Sequence, residues 1–427
     1  MNSISTRDTA GVRTPISTAL PKACASRRPH WLNNERLWTY SIVALVCYAI
    51  FFVIYLYRVV YLHRGDIYPL AMDFLPFWST SYLALHGHAV DAYNVKLLTA
   101  VESSTIAYPH EGWGILAWLY PPTFLLVVAP LALLPYKMAA VFFIGATYAL
   151  FVKTIHAIVP SRQTLIAAMA FPGAMLVSII GQNAFLTAAL AGCGLVLLRR
   201  RPVFAGIVFG LLCMKPHLAV LVPLALLCSR SWRALAAFIV TAISTLAIAV
   251  LVFGTGTLTA FLQNAGMAAS CVATGRAALT RIPTFFAMAT LAHAPVALAY
   301  GMQAISALCA AAAVCFAWGR ESSYPLRAAT LICASLLVSP YLYDYDLAWY
   351  GVLIAWCVKH GMESGWRRGE REWLVVLWVM PFAGLFLVSH VPFQFMPLVT
   401  AATLWMLVRR IALERSALPV FQRELGV

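Results

Sequence analysis

Carboxylates are the chemistry-bearing residues this chain uses most sparingly, and their positions narrow what it can do. Asp73 lies in Met72-Asp73-Phe74-Leu75-Pro76-Phe77-Trp78, an aromatic stretch just beyond the first long apolar run. A second pair, Asp344 and Asp346, falls in Ser339-Pro340-Tyr341-Leu342-Tyr343-Asp344-Tyr345-Asp346. After Glu111 the next acidic side chain is Glu321, so the intervening apolar sequence carries no carboxylate. A reaction that needs a general base at a membrane boundary must draw on Asp73 or on the Asp344/Asp346 pair. There a carboxylate can take the proton of a hydroxyl as that hydroxyl attacks an activated carbon. Phe74, Phe77 and Trp78 would hold it near the interface and offer ring faces to a sugar. The same aspartate also suits the N-cap of a helix opening near Leu75, and the two roles are compatible.

Four further polar interruptions stand out in the apolar background. Leu119-Tyr120-Pro121-Pro122 fixes an extended backbone before a helix start and holds Tyr120 rigidly at a rim. Gly181-Gln182-Asn183 breaks an apolar stretch; Asn183 suits a helix cap, which leaves Gln182 to bind a hydroxyl. Lys215-Pro216-His217 stands at the middle of the run 203–228, where proline frees carbonyls and a lysine needs a partner. That partner is either a distant aspartate or a bound anion such as a lipid-borne phosphate. Arg276 and Arg281, on a loop with no acid, are available to a phosphate or headgroup. The Asp344/Asp346 pair brings carboxylates and tyrosines together, as sugar sites do, and without a third ligand it indicates no metal. Phosphate-cradling loops of the GxGxxG and GxxxxGK[ST] types are absent, and no cofactor is implied.

The elements that must position these residues are membrane helices. The chain is 62% hydrophobic and 11% charged with mean hydropathy +0.82, against about 25% charged in an ordinary soluble domain. Long apolar runs rather than short alternating strands give an all-α polytopic membrane protein. The net charge of +15 does not indicate nucleic acid. Its residues cluster at run ends, as at Arg199-Arg200-Arg201, Arg230 and Arg233, Arg367-Arg368 and Arg409-Arg410, the pattern of cytoplasmic loops. Most of the ten cysteines, Cys193 and Cys333 among them, lie within apolar runs with no CxxC pair and serve as small apolar residues.

Residues 1–36 are expected to form a disordered cytoplasmic tail, 37–412 one membrane domain, and 413–427 a second cytoplasmic tail. After a first span from Trp38 to Leu62, an outer loop over 63–118 carries Asp66, Asp73, Asp91, Glu102 and Glu111 against only Arg64 and Lys96. It should contain interfacial helices over Leu75–Leu85 and Ala92–Val101. A second outer loop covers 254–293. Eleven further apolar runs follow between 120 and 410, so that eleven to thirteen spans are expected in all. Strict alternation would put Arg199-Arg200-Arg201 outside, against the charge rule. A broken or re-entrant hairpin over 203–228, with a compensating irregularity near Pro121, Pro130 or Pro135, is the expected resolution.

Four stretches carry a resemblance to a known family: Asp73-Phe74-Leu75-Pro76-Phe77-Trp78 with Gly87 to Tyr93; Tyr120-Pro121-Pro122 through Pro135; Gly181-Gln182-Asn183; and Ala205-Gly206 through Lys215-Pro216. In order and spacing the chain resembles glycosyltransferase family 87, polyprenyl-phosphate-sugar-dependent enzymes of the GT-C superfamily. The resemblance implies a GT-C-type bundle and metal-independent, inverting transfer of a hexose, by default mannose. The donor would be a polyprenyl-phosphate-sugar and the acceptor a glycolipid or glycan, met on the outer face of a bacterial inner membrane. It implies Asp73 as catalytic base and sets the Lys215-Pro216 break near the donor phosphate, where His217, Arg276 and Arg281 are further candidates. Trp78, Tyr120, Gln182, Asn183, Asp344 and Asp346 would face sugar or acceptor. Relatives often carry histidine after the late Ser-Pro, where this chain has Tyr343-Asp344-Tyr345-Asp346, so acceptor or sugar choice is open to difference. The alternative class is a transporter or lipid-linked-sugar flippase, which would use the same broken run and isolated lysine.

Overall fold

A computed structural model describes residues 30–62, 69–106, 116–273 and 278–424. The expectations for residues 1–29 of the N-terminal tail, and for Arg64, Asp66, Glu111 and Arg276, lie outside the described residues. Regular structure among the described residues is helical, with no strand. The chain opens with α1 (Asn34–Leu56), then α2 (Leu75–Leu85) and α3 (Val95–Thr105) in the first loop. It continues through α4 (Pro122–Val128), α5 (Tyr136–Ile158), α6 (Arg162–Met169), α7 (Pro172–Ile180) and α8 (Ala184–Leu198). Next come α9 (Pro202–Leu211), α10 (Pro216–Ala219), α11 (Leu221–Cys228), α12 (Trp232–Phe253), α13 (Thr255–Ala273) and α14 (Phe285–Leu291). The last five are α15 (Val296–Trp318), α16 (Tyr324–Ser335), α17 (Trp349–Ser364), α18 (Glu370–His390) and α19 (Met396–Glu424).

Six helices among the described residues are long and apolar enough to cross a membrane, or seven if the bent α6–α7 pair is one span. Beside the eleven to thirteen spans expected, the other apolar runs form shorter helices, and two of these runs fold back. Residues 120–135 are one such run. Ser81 Oγ donates to Ala129 O (2.6 Å) and accepts from Ala132 N (2.8 Å), while Tyr93 OH donates to Tyr120 O and Tyr136 OH to Ala71 O. Both ends of the run thus lie beside the first loop, where Pro121, Pro130 and Pro135 break it into α4 and a 3-10 turn.

The run 203–228 folds back from the other end. Gly206 packs so tightly on α12 that a Cβ there would lie 2.2 Å from Ala234 O. The α9 helix then climbs alongside α12 to Lys215, where a 3-10 turn and Pro216 reverse the chain. From there α10 and α11 descend until Cys228 Sγ lies 3.7 Å from Cys315 Sγ near the end of α15. These two hairpins put Arg199 beside Tyr324, with the guanidinium 5.5 Å from the ring centroid, at the same end as the later basic clusters. Contacts at that basic end include His30–Glu372, Arg410–Glu370 and His360–Glu414.

The break between α6 and α7 bends the pair by 42° and frees carbonyls that no water can reach inside a bilayer. Three aromatic side chains from three other helices take them. Trp378 Nε1 donates to Ala167 O (3.2 Å), Tyr148 OH to Met169 O (2.9 Å) and Tyr48 OH to Ala170 O (3.1 Å). The α16 end is closed in the same way, with Gln303 Nε2 and Ser306 Oγ of α15 donating to Leu337 O. The core follows: α5, α7, α8, α16 and α17 contribute its buried aromatic and aliphatic residues, including Phe151, Phe185, Trp349 and Tyr350.

Candidate active site

The site is assembled by one backbone clasp. Ala71 adopts φ 57°, in the left-handed region, and its amide donates to Ile179 O at 2.7 Å. Gly181 stands opposite at φ +86°, and a Cβ on it would lie 2.6 Å from the Ala71 Cα. The segment entering Asp73 and the turn carrying Gln182 and Asn183 are thereby fixed to each other. Gly181→Ala must strain φ and push on backbone at once, so it should cost about 2–4 kcal/mol. A thermal melt in detergent should show the loss, accompanied by a fall in activity.

Asp73 lies in a 3-10 turn, Met72–Phe74, ahead of α2. It does not cap that helix: Phe74 is the N-cap residue and makes no side-chain cap bond. Its carboxylate turns instead to the site. Oδ2 accepts from Gln182 Nε2 at 3.5 Å and lies 3.7 Å from Arg281 Nη2. Gln182 is oriented in turn, its Oε1 accepting from Tyr120 OH at 3.0 Å and from the Asn183 amide at 3.2 Å. Burial raises the Asp73 pKa above the ordinary aspartate range; Arg281 pulls it back down and Asp344 pushes it up.

Arg281 is held by Asp344 through two bonds, Nε to Oδ2 at 3.1 Å and Nη2 to Oδ1 at 3.2 Å, the forked pairing that a guanidinium favours. Its guanidinium also lies 5.9 Å from the ring centroids of Tyr343 and of Tyr345, which stack parallel on each other at 5.4 Å. Against burial, which alone would lower it, the two aspartates raise the Arg281 pKa, so it stays charged at every working pH.

Lys215, at the apex of the α9–α10 hairpin, has the distant aspartate as its partner. Nζ donates to Asp346 Oδ1 at 2.6 Å and to Asn183 Oδ1 at 3.4 Å, and lies 4.7 Å from the Tyr345 ring centroid. Asn183 therefore serves the lysine and makes no side-chain cap bond to α8. Asp346 Oδ2 accepts from Tyr343 N at 3.4 Å. The Lys215 and Asp346 side chains are 5% and 0% exposed, whereas Arg281 and Asp73 are 30% and 13% exposed. Arriving substrate meets the second pair first.

Seven of the residues singled out from sequence thus meet Asp73 in one cluster: Tyr120, Gln182, Asn183, Lys215, Arg281, Asp344 and Asp346. His217 is close enough to Lys215 for its charge to matter, and its buried Nε2 makes no hydrogen bond. Trp78 Nε1 donates to Leu134 O at 2.9 Å and its ring stacks on Tyr82, so it ties α2 to the α4 hairpin. Sequence reasoning passed over the Tyr343/Tyr345 stack as a floor for the two cations. Its signal is an i, i+2 tyrosine spacing at the start of a 3-10 turn, Asp344–Ala348. It also grouped Glu102 with the surface acids, yet this carboxylate is enclosed, both its oxygens lack partners, and burial pushes its pKa up to about 8. At neutral pH it keeps its proton.

A family model described as glycosyltransferase family 87 matches residues 118–340, more than half of the chain. The chain belongs to that family. The match covers Tyr120, Gln182, Asn183, Lys215 and Arg281; Asp73 precedes it, and Asp344 and Asp346 follow it directly. No curated protein and no solved structure matches the chain. Membership of glycosyltransferase family 87 together with the apolar helices makes this a multi-pass membrane glycosyltransferase, and decides against the transporter reading.

Proposed function

We propose that this family 87 enzyme moves a hexose, mannose by family default, from a polyprenyl-phosphate donor to a hydroxyl of a glycolipid or glycan. The observation that carries the reading is the pairing of Asp73 with Arg281 at 3.7 Å, the two most accessible charges of an otherwise buried cluster. One is a base for the attacking hydroxyl and the other a cation for the departing phosphate. The acceptor oxygen forms its bond to the anomeric carbon as the bond to the phosphate oxygen breaks. The hydroxyl proton passes to Asp73, and polyprenyl phosphate leaves with its growing charge facing Arg281. Attack opposite the leaving group inverts the anomeric centre in a single displacement.

Tyr120 and Gln182 orient the base. Lys215 is already engaged by Asp346 and Asn183, so it acts from beneath as a fixed positive charge, and Arg281 makes the direct phosphate contact. A lipid-borne donor accounts for a site built between membrane helices with no nucleotide loop. The clustering of the basic residues at the far end of the bundle supports a cytoplasmic location for that end and a periplasmic site in an inner membrane.

The test is transfer by the purified enzyme in liposomes, from radiolabelled polyprenyl-phosphate-mannose to membrane lipids or glycans, beside a nucleotide-mannose control. Product from the lipid donor alone is expected. Product from the nucleotide sugar alone would overturn the proposal.

The pH profile provides a separate check. Asp73 works ionised, so activity falls as pH drops through its raised pKa. Arg281→Gln removes the charge that lowers that pKa, and the acid limb of kcat/KM should move to higher pH. Asp344→Asn removes a repelling charge and should move it to lower pH.

A further inference from the structure

At the basic end of the bundle, remote from Asp73, α1, α5, α6, α17 and α18, with the turn at Phe171, line a cavity of about 760 Å³. Its walls are apolar, with Phe171, Ile354 and Trp378 among them, and its mouth is polar, with His30, Asn33 and Arg371. Along α18 it reaches from Arg371 to Val379, about 12 Å of helix, and leaves about 16 Å more to His390 at the site end. The cavity therefore opens to the half of the bilayer opposite the catalytic cluster. One wall is α1, which buries none of its apolar stretch in the protein. A chain from the surrounding lipid has a single helix to pass.

The mouth holds a cation without a counter-ion. Arg371 is half-buried, 5.0 Å from the Trp366 ring centroid, and among the described residues no carboxylate lies within ion-pair distance of it. The neighbouring acids are engaged: Glu372 by His30 at 3.0 Å and Glu370 by Arg410 at 3.0 Å. Arg367 and Arg368 add charge alongside. An anion-seeking guanidinium at the rim of an apolar hole matches an amphiphile whose phosphate adjoins its chains.

We infer that this cavity binds one anionic glycerophospholipid from the leaflet at the basic end, its acyl chains between α1 and α18 and its phosphodiester on Arg371. Packing of the chains against the apolar walls supplies retention, since they leave one apolar medium for another, and Arg371 supplies headgroup preference. The donor's polyprenyl chain enters from the opposite face and is a different ligand.

Native mass spectrometry of the full-length protein tests this, with phosphatidylglycerol and phosphatidylcholine of identical acyl chains as probes. One phosphatidylglycerol should be retained under activation that strips other lipids, with at least tenfold preference over phosphatidylcholine. Arg371→Gln should bring the two to near-equal retention. Val375→Trp, which fills the cavity while leaving Arg371 in place, should reduce retention of both; each variant is first checked for a wild-type elution profile. Equal binding of the two lipids by wild type, or a preference unchanged in Arg371→Gln, would overturn the inference. So would one-for-one displacement of phosphatidylglycerol by polyprenyl phosphate, which would make this the donor's tail site. The readout is retained lipid mass, so the result is independent of whether sugar transfer is observed.

Discussion

Asp73→Asn should remove sugar transfer, lowering kcat by about 10²- to 10⁴-fold, the contribution typical of a positioned general base. The substitution keeps the shape of the side chain and discards the charge that accepts the proton. The surroundings predict that the protein survives it. Arg281 remains forked on Asp344, Gln182 remains bonded to Tyr120, and the clasp between Ala71 and Ile179 is made by backbone alone. Thermal stability should therefore change little, and the donor KM should stay near wild type, since Arg281 is still free to meet phosphate. The informative result is this split: a collapse of kcat without a collapse of folding or donor binding. Retained activity would remove Asp73 from the chemistry and turn attention to Asp344, the remaining carboxylate on Arg281. Parallel Asp73→Asn and Asp344→Asn assays, with binding of polyprenyl phosphate measured for both, separate the two.

Much of this cluster was legible in the sequence because the chain is so poor in charge. A lysine, a glutamine–asparagine pair or an arginine in a long acid-free stretch has few alternatives to a shared polar interior, and Gln182, Asn183, Lys215 and Arg281 do share one. Partner choice was harder to read. Asp346 lies 131 positions beyond Lys215, and no local pattern connects them. Local rules also suggested caps for Asp73 and Asn183 that the structure does not make, because a longer-range charged partner outweighs one capping bond. The helices over Leu75–Leu85 and in the region after Ala92 came from apolar and aromatic content. The course of the shorter runs did not: an apolar run looks the same whether it crosses, bends, or returns. What distinguishes the hairpins at 122–133 and 202–228 is where their ends are tied, by Ser81, Tyr136 and Lys215, and that is a tertiary fact. Trp78 shows the same limit, since nothing local to it announces the bond of its indole to Leu134 O.

The Lys215–Asp346 pair should carry the largest single-residue effect on stability. The two side chains are enclosed, and at 2.6 Å they form a short charge-assisted bond. Removing either partner strands the other as an uncompensated charge in a medium that cannot solvate it. Lys215→Met and Asp346→Leu should each therefore lose about 3–5 kcal/mol. The double variant should recover most of that, because two apolar side chains of similar bulk need no solvation; a double-mutant cycle of melts in one detergent measures the coupling. Recovery will be incomplete. Asn183 Oδ1 and Tyr343 N both lose partners when the pair is replaced, and Tyr343 is one ring of the stack beneath Arg281. The double variant also separates two roles for the lysine. If Lys215 only braces the cluster, the restored fold should keep a near-wild-type donor KM, because Arg281 meets the phosphate. If the ammonium itself binds the leaving group, stability will return while donor KM rises and kcat falls. Bracing is the expected result: in the resting enzyme the ammonium already has Asp346, Asn183 and the Tyr345 ring around it, and a phosphate would have to displace one of them.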